Sequence, residues 1–229
     1  MIKKISSQLK AYGFNMLIRN LSWEIRMRTM WTLRISFSQD LEDILIDKLL
    51  GKKKRGLYVD VGAYDTTRFS NTKKFYLRGW QGINIEPDPI RIDKFYKERQ
   101  RDINLNFGVA NKNGRLDFYK FNPQTLSTFS QKQAQAYQKQ GFILTQKVKI
   151  KVCKLSYLLE RYLGKKSIDF LSIDTEGFDL EVLKSNNWKK FKPKVICIES
   201  SEKSIDKLLL DQGYTEVFKN SVNSIYKIK

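Results

Sequence analysis

Strand-like and helix-like segments alternate along most of the sequence, and this alternation constrains the fold more than any other feature. Short apolar runs of strand-forming residues recur, and segments with helical periodicity separate them. Strands that alternate with helices form a parallel sheet with helical crossovers. The predicted strands are residues 57–62, 82–86 and 103–109 and the runs IDFLSID and KVICIES, and the predicted helices lie near residues 70–78 and 90–98 and in LSYLLERYL, EGFDLEVLKS and SIDKLLLDQG.

The end of the sequence predicts a different connection. The strand-like runs YTEVF and SIYKIK are separated only by FKNSVN, which is too short for a helical crossover. A hairpin therefore joins these two strands, and it adds an antiparallel strand to an otherwise parallel sheet.

The remaining segments are given separate expectations. Residues 1–37 are basic, with helical periodicity and a division at Gly13, and we expect a helical extension before a domain of residues 38–229. The segment SQDLEDILIDKLL predicts an amphipathic helix that Ser38 caps. GRLDFYKF alternates as an additional strand. Residues 122–146 are polar and rich in glutamine, and we expect a loop there that contributes no core element.

Charge and residue usage restrict the chemistry. Lysine and arginine number 43 against 24 acids, a formal net charge of +19, which attracts nucleic acid, anionic lipid headgroups or acidic glycans. The sequence has no histidine, so proton transfer requires a carboxylate, lysine, tyrosine, thiol or metal-bound water. Cys153 and Cys197 fall in predicted strands, and we expect buried thiols rather than a disulfide framework.

No feature of the sequence indicates export. No apolar run approaches the roughly 20 residues that cross a bilayer, and the start, MIKKISSQLK, lacks the apolar segment of a secretory signal. We therefore expect a cytoplasmic protein. Its basic N-terminal helices suggest a peripheral position at the anionic inner membrane surface.

The segment LYVDVGAYD, residues 57–65, points to a nucleoside ligand. In open α/β sheets the ligand binds beyond the carboxyl ends of the strands, where Asp60 and Gly62 lie. Glu86, at the end of the second predicted strand, has the spacing of an acid that binds ribose hydroxyls. No second glycine follows Gly62 and no phosphate loop is present, so we expect a ribose, few phosphates and a positive group. S-adenosylmethionine has these properties.

Seven blocks, in this order and spacing, make the sequence resemble the FkbM family of S-adenosylmethionine-dependent methyltransferases over residues 38 to about 200. One position departs from the family pattern, because Leu41 stands where the family has glycine. The blocks are SQDLED (38–43), YVDVGAYD (58–65), FSNT (69–72), FYLRGWQGINIEPDP (75–89), INLNFGVAN (103–111), LSTFS (126–130) and IDFLSIDTEGFDLEVL (168–183).

The resemblance implies a fold, a reaction and a set of cofactor contacts. The fold is an α/β class I methyltransferase (Rossmann-like) fold, with a seven-stranded sheet in the order 3-2-1-4-5-7-6, an antiparallel last strand and helices on both faces. The reaction is O-methylation, often of sugar hydroxyls. The cofactor-binding residues implied are Asp60, Gly62, Ala63 and Tyr64 near the methionine portion, Glu86 and Pro87 at the ribose, Phe107, Gly108 and Val109 at the adenine, and Ser70, Asn71 and Asp174 in the same pocket.

Acids after the fourth and fifth predicted core strands are the catalytic candidates. Asp174 and Glu176 lie in IDTEGFD, and Asp174 is the leading candidate for the base that removes a proton from an acceptor hydroxyl or for a metal ligand. Together with Glu199 they form an oxygen-rich set that suits Mg²⁺. The alternative for Glu176 is stabilisation of a helix N-terminus, and Asn71 is equally suited to cap a helix.

Two other functions stay open at this point. One is methylation of RNA ribose 2'-hydroxyls, for which Lys54, Asp174, Lys207 and Glu216 supply the required residue types. The other is a non-catalytic module that binds membranes or a glycan-assembly complex through its basic surface.

The nature of the acceptor depends on the polar segment that we expect over the pocket. Residues 122–150 contain Lys132, Lys139, Lys147 and Lys149 and no acid. This composition favours a small-molecule or glycan acceptor that carries negative charge.

Overall fold

The structure is a computed structural model, and it describes residues 14–164, 166–199 and 202–229. Helix α1, Phe14–Thr32, lies within the basic segment that the sequence predicts to be helical. The division at Gly13 lies outside the described residues. The prediction of a separate extension, residues 1–37, stays a prediction.

Two sheets organise the described residues. Their strands are β1 (Leu57–Val61), β2 (Gln81–Ile85), β3 (Ile103–Leu105), β4 (Gly108–Val109), β5 (Gly114–Asn122), β6 (Ile143–Cys153), β7 (Phe170–Ile173), β8 (Val195–Ile198), β9 (Tyr214–Lys219) and β10 (Ser224–Ile228). The larger sheet has the order β3-β2-β1-β7-β8-β10-β9, and the smaller has the order β4-β6-β5.

The larger sheet is that of a class I methyltransferase fold. Its strands β3, β2, β1, β7 and β8 are parallel, and β10 pairs antiparallel with both β8 and β9. Since β7 to β10 are the fourth to seventh strands of this sheet in sequence, the predicted order 3-2-1-4-5-7-6 is confirmed. The terminal hairpin is confirmed by the pairing of β9 with β10.

Helices connect and cover these strands. Besides α1 they are α2 (Glu42–Leu49), α3 (Lys73–Leu77), α4 (Pro89–Glu98), α5 (Gln131–Lys139), α6 (Leu155–Leu163), α7 (Asp179–Lys184) and α8 (Lys203–Asp211), and a short 3₁₀ helix spans Gln124–Leu126.

Strand β1 shows why the sheet is covered on both faces. Its side chains alternate between two apolar clusters: Val59 and Val61 pack with α6, α7 and α8, and Tyr58 packs with α2 and α3. Four of its five residues are buried. A parallel strand with both faces buried is expected to be nearly continuous in apolar residues, so the acid Asp60 within it requires a separate explanation.

The segment 122–146 is not the polar loop that the sequence predicted. It forms the 3₁₀ helix, α5 and the start of β6, which pairs with β5 over nine residue pairs. Ser130 caps α5 by accepting a hydrogen bond from the backbone N–H of Gln133 (3.2 Å). A small apolar cluster of Tyr119, Phe121 and Ala134 then holds the segment together. We call residues 108–153 the inserted unit.

Two predicted boundaries are wrong. Helix α2 begins at Glu42 rather than after Ser38, whose hydroxyl still accepts a hydrogen bond from the N–H of Asp43 (3.2 Å). Leu41 precedes α2 with a left-handed φ of 69°, a conformation that favours the glycine of the family pattern. The third strand ends at Leu105, because residues 108–109 pair with β6 in the smaller sheet.

The state of the two cysteines can be checked directly. Cys153 and Cys197 are buried free thiols, as expected. Among the described residues, no helix has the length and apolarity needed to span a membrane.

A buried polar network connects the first residues of β1 and β2 to the end of α4. The hydroxyl of Tyr58 donates to Asp102 (2.5 Å) and accepts from the guanidinium of Arg99 (2.9 Å). Asp102 also accepts from the backbone N–H of Gly82 (2.8 Å). Because these groups are buried and bonded on several sides, the Tyr58 ring has no room to move.

This network predicts a severe effect of a small substitution. A methyl group at position 82 would lie 2.0 Å from the Tyr58 ring, so Gly82→Ala should destabilise the fold by about 2 to 3 kcal/mol. The control Gly79→Ala meets no atom within 4 Å, and its left-handed φ alone should cost about 1 kcal/mol. Urea unfolding of both variants measures the difference, and equal losses would contradict the steric explanation.

Candidate functional site

Residues that immediately follow the parallel strands build one side of a cavity. Their backbone N–H groups continue the sheet hydrogen bonds: Gly62 to Ile85, Glu86 to Leu105, Asp174 to Val61 and Glu199 to Ile173 (2.9 to 3.1 Å). The strand ends therefore fix these positions as rigidly as the strands themselves. The cavity above them has a volume of about 330 Å³, within the range of small-molecule sites.

The turn after β1 is possible only with glycine. Gly62 has a φ of 78°, and a Cβ atom there would lie 1.8 Å from the carbonyl oxygen of Asp174. The absence of a side chain lets the end of β1 lie directly against the end of β7. This contact brings the loop after β1 and the acids after β7 into the same cavity.

The carboxylate of Glu86 holds the loops after β1 and β2 by hydrogen bonds. One carboxylate oxygen accepts the N–H of Tyr64 (2.9 Å), and the other accepts the N–H of Asp88 (2.8 Å). A carboxylate can accept about four hydrogen bonds, so each oxygen retains acceptor capacity for a diol. Burial raises the pKa of Glu86 to about 7. The side chain is thus well placed to bind two ribose hydroxyls.

Asp60 is the acid within β1, and its partner is a hydroxyl. Thr72 donates a hydrogen bond of 2.7 Å to its carboxylate. Burial raises the pKa of Asp60 to about 6, an effect that this hydrogen bond opposes. Asn71, beside Thr72, donates to the hydroxyl of Ser172 (3.1 Å) and lines the cavity. The residue at the N-cap of α3 is Thr72, so the alternative role for Asn71 is wrong.

Three carboxyl groups gather at the ends of β7 and β8. Oxygens of Asp174, Glu176 and Glu199 all lie within 4.8 Å of one another. Burial, and then the charge of Asp174, raises the pKa of Glu176 to about 8 and that of Glu199 further still. Of the hydrogen-bonded pair Asp174 and Glu199, Glu199 is therefore the group that holds a proton more strongly. Its hydrogen bond to Asp174 favours the ionised form of Asp174, although burial raises the pKa of that group as well.

The inserted unit holds Glu176 from the opposite side. Glu176 has a left-handed φ of 52°. Its carbonyl oxygen accepts the hydroxyl of Thr128 (2.8 Å), and its carboxylate accepts the hydroxyl of Tyr137. The inserted unit also reaches the cofactor side, where Lys120 pairs with Asp88 (2.7 Å). It thus forms the cover of the cavity.

Nearly all of the predicted site residues line this cavity. Ser70 is the exception: its hydroxyl is buried beside Arg99 (3.1 Å) and is not in the cavity wall. Asn106, which precedes the predicted adenine contacts and was expected to flank adenine with them, also lies outside the wall and donates to the carbonyls of Glu86 and Pro87 (3.0 Å each). The predicted residues in the wall are Asp60, Gly62, Ala63, Tyr64, Asn71, Glu86, Pro87, Phe107, Gly108, Val109, Asp174, Glu176 and Glu199.

The sequence reasoning missed the contributions of the inserted unit and of α4. Phe129 lines the cavity, and Thr128 and Tyr137 hold Glu176. Arg91 stacks on the ring of Tyr64 (3.8 Å to the centroid) and donates to Gln124 (2.5 Å). Of these residues, Thr128 and Phe129 could have been found from the sequence, because both lie in the family block LSTFS. No motif pointed to the others.

The four residues of the alternative RNA site do not come together. Lys54 precedes β1, whereas Asp174 follows the neighbouring parallel strand β7, so they lie at opposite edges of the sheet. A strand of five residues separates such positions by about 16 Å. The structure therefore does not form the proposed tetrad of Lys54, Asp174, Lys207 and Glu216.

Comparison with known proteins identifies the domain. A family model described as "Methyltransferase FkbM domain" matches residues 60–215. No curated protein is similar enough to match the chain.

Several solved structures resemble this one at low sequence identity. A precorrin-6y C5,15-methyltransferase from Geobacter metallireducens is 14% identical, with 82% of this chain and 87% of that chain covered and a TM-score of 0.43. A TehB-like SAM-dependent methyltransferase from Corynebacterium glutamicum is 11% identical, with coverage of 93% and 99% and a TM-score of 0.40. A putative RNA methyltransferase from Pyrococcus horikoshii is 9% identical, with coverage of 81% and 84% and a TM-score of 0.36.

The buried Asp60 predicts a pH dependence of stability. Its pKa is about 6 in the folded protein against 3.8 ordinarily, so the folded state binds the proton more tightly. This stabilisation is fully present below pH 3.8 and is lost as the pH rises through 6, which amounts to about 3 kcal/mol. Asp60→Asn should remove about that much of the decline between pH 4 and pH 7.

Urea unfolding across this pH range, without cofactor, measures the effect. Asp93→Asn is the matched control, because Asp93 is exposed and pairs only with Lys97 on the surface of α4. A decline that is the same in Asp60→Asn as in the unmodified protein would refute the assignment.

Proposed function

The chain belongs to the FkbM family of S-adenosylmethionine-dependent methyltransferases, and from this premise we propose that it transfers a methyl group to a hydroxyl of a sugar or glycan acceptor. The observation that carries this proposal is the position of Asp174, which lines the same cavity as Asp60 in β1 and Glu86 after β2 and has a carboxyl oxygen within 4.8 Å of those of Glu176 and Glu199. A base in this position lies next to both substrates.

The residues of the cavity fit S-adenosylmethionine. Glu86 retains acceptor capacity for the ribose diol, and Phe107 and Val109 provide an apolar surface for the adenine. Asp60 and Asp174 place carboxylates where a sulfonium and an ammonium group need them. When bound, the cofactor supplies an electrophilic methyl group.

Asp174 is assigned the role of general base. Asp174 would take the proton of the acceptor hydroxyl that receives the methyl group, so its carboxylate must lie within hydrogen-bond distance of that oxygen. The hydrogen bond with Glu199 orients Asp174 and favours its ionised form, since the pKa of Glu199 is raised the more strongly. Glu176, held by Tyr137, lies beside Asp174 and can bind a neighbouring hydroxyl of the acceptor.

Mg²⁺ at Asp174, Glu176 and Glu199 is a second proposal for the same groups. Carboxylate oxygens are the ligands that Mg²⁺ prefers, and three of them lie within 4.8 Å of one another here. A bound ion would require Glu199 to lose its proton, and it would acidify a coordinated hydroxyl. Titration with MgCl₂ by calorimetry tests this proposal. If the unmodified protein gives no binding heat, or the same heat as Asp174→Asn, the ion is excluded.

The charge of the acceptor is set by what surrounds the cavity. Lys147 and Lys149 both pair with Asp117 (3.1 and 2.8 Å), and among the described lysines none lines the cavity. Arg91 is the only basic residue in the described cavity wall. We therefore propose that the part of the acceptor that lies next to the general base is neutral and carries the hydroxyl. An anionic group elsewhere on the acceptor stays a prediction.

The role of Glu86 is tested by cofactor binding. Glu86→Ala removes the carboxylate that binds the ribose and supports Tyr64, and it should raise the Kd for S-adenosylmethionine at least about tenfold. Asp93→Ala is a control with an exposed acid on α4 that pairs with Lys97, and its Kd should change less than twofold. Calorimetry gives both values, and an unchanged Kd for Glu86→Ala would contradict the nucleoside assignment.

The role of Asp174 is tested by turnover. Asp174→Asn should lower the rate of methyl transfer about 10² to 10⁴-fold, because it removes the base while retaining the size of the side chain. The measurement is formation of S-adenosylhomocysteine with neutral, acidic and amino-sugar acceptors and with RNA. Activity on RNA alone would replace the glycan proposal with the RNA one.

A further inference from the structure

The strand ends opposite the cavity form a second edge of the larger sheet. Because β1, β2, β7 and β8 are parallel, the segments that enter them all lie at one edge, and the cavity lies at the other. Strand β10 is antiparallel, so its end returns to the entry edge, where Lys227 pairs with Val195. Basic residues are concentrated in these entering and returning segments.

The basic side chains at this edge are exposed and come from four separate parts of the sequence. They precede β1, β7 and β8 and follow or end β10. We call this set the basic edge: Lys52, Lys53, Lys54, Arg55, Lys166, Lys189, Lys190, Lys192, Lys194, Lys227 and Lys229.

Direct contacts show that these segments adjoin one another. Asp169, at the start of β7, pairs with Lys53 from the segment before β1 and with Lys194 from the segment before β8, at 2.8 Å in each case. The backbone N–H of Ile228 donates to the carbonyl of Lys194 (3.0 Å). The distance from β1 to β10 is three strand spacings, or about 15 Å, so the charges form one row.

Few acids neutralise this row. Asp169 accepts two lysines, and Glu160 accepts Lys190 (3.1 Å). Within the described part of the chain, the other eight members of the basic edge form no salt bridge. Exposed acids near this edge are Glu160, Asp211 at the end of α8 and Glu216 on β9 beside the partner of Lys227, three against eleven basic residues. The surplus charge is therefore local to this edge and is not spread over the surface.

Support for helix ends does not account for the set. Lysines in the last turn of a helix stabilise its dipole, and this effect falls off within that turn. Residues 52–55 begin three positions after the end of α2, and residues 189–194 begin five positions after the end of α7. Most of the basic edge lies beyond the range of the dipole.

We propose that the basic edge binds an anionic lipid bilayer. Ten of its eleven members are lysine, whose compact charge suits diffuse attraction to headgroups better than the bidentate contacts that arginine makes with nucleic acid. In the described part of these segments and beside them, Trp80 and Phe191 are buried and Trp188 packs partly buried against the core, so none of these three rings is fully exposed for base stacking. Each lysine near such a surface adds about fivefold in affinity.

This orientation also fixes the direction in which the cavity faces. An edge that faces the bilayer leaves the cavity, at the opposite edge of the same sheet, facing away from the lipid. The contact is electrostatic and should therefore be reversed by salt.

The test compares two variants of equal charge. Replacement of Lys52, Lys54, Lys189 and Lys192 by Gln removes four charges from the basic edge. Replacement of Lys112, Lys132, Lys139 and Lys203 by Gln removes four exposed charges from the inserted unit and the start of α8. Flotation of the full chain with vesicles of 70% phosphatidylcholine and 30% phosphatidylglycerol measures the partition coefficient at 50 and 500 mM NaCl.

We expect binding at 50 mM NaCl, its loss at 500 mM, a decrease of at least about tenfold in the edge variant and of less than threefold in the control. Three results would overturn the proposal: no binding of the unmodified chain, equal losses in both variants, or unchanged binding of the edge variant. Tighter binding to duplex RNA than to vesicles of equal charge concentration would also overturn it. An unchanged Kd for S-adenosylmethionine in both variants verifies that they are folded.

Discussion

The close approach of the β1 turn to the backbone of Asp174 is the contact on which the site depends. At this point the chain leaves β1 toward β2 on one side, and leaves β7 toward β8 on the other, so a crevice opens between the two exits. The crevice can hold a ligand across both exits only if their backbones are nearly in contact. Gly62 permits this, since any side chain there would overlap the Asp174 carbonyl.

The buried acids follow from the same geometry. Strand ends place Asp60, Glu86, Asp174 and Glu199 in one small volume, where burial disfavours their charged forms. Hydroxyls, backbone N–H groups and shared protons offset part of this cost. A cationic ligand would offset more, because it interacts favourably with several carboxylates at once. The ionised site is therefore unfavourable without a ligand, and binding of a sulfonium relieves part of this cost.

The inserted unit converts this open crevice into a defined cavity. It is attached at both ends of the cavity, through Lys120 to Asp88 on the nucleoside side and through Tyr137 and Thr128 to Glu176 on the acceptor side. The left-handed conformation of Glu176 is retained because both its carbonyl and its carboxylate are bonded to this unit. The acceptor-side geometry therefore depends on residues that are remote in sequence.

The sequence predicted the parts of the structure that local patterns determine. The order of the main sheet, the glycine turn and the acids after β2, β7 and β8 could be inferred, because strand periodicity and strand ends are visible in short segments and the family motifs fix their sequence. The inserted unit could not be inferred from periodicity. Its helix is rich in glutamine, and its small core of Tyr119, Phe121 and Ala134 is spread over three elements. Ser70 was misplaced for a related reason, since its burial depends on Arg99, which lies 29 residues away.

Parallel strand direction also explains how a chain of net charge +19 contains an acidic cavity. The exits of the parallel strands lie on one edge and their entries on the other, so acids placed after these strands and lysines placed before them are separated by the full length of the strands, about 16 Å. At physiological ionic strength the Debye length is about 8 Å, so the solvent screens each edge from the other. The cavity can therefore bind a cation while the opposite edge attracts anions. Net charge alone would have suggested an anionic ligand for the whole molecule, and it is the sheet topology that assigns opposite charges to its two edges.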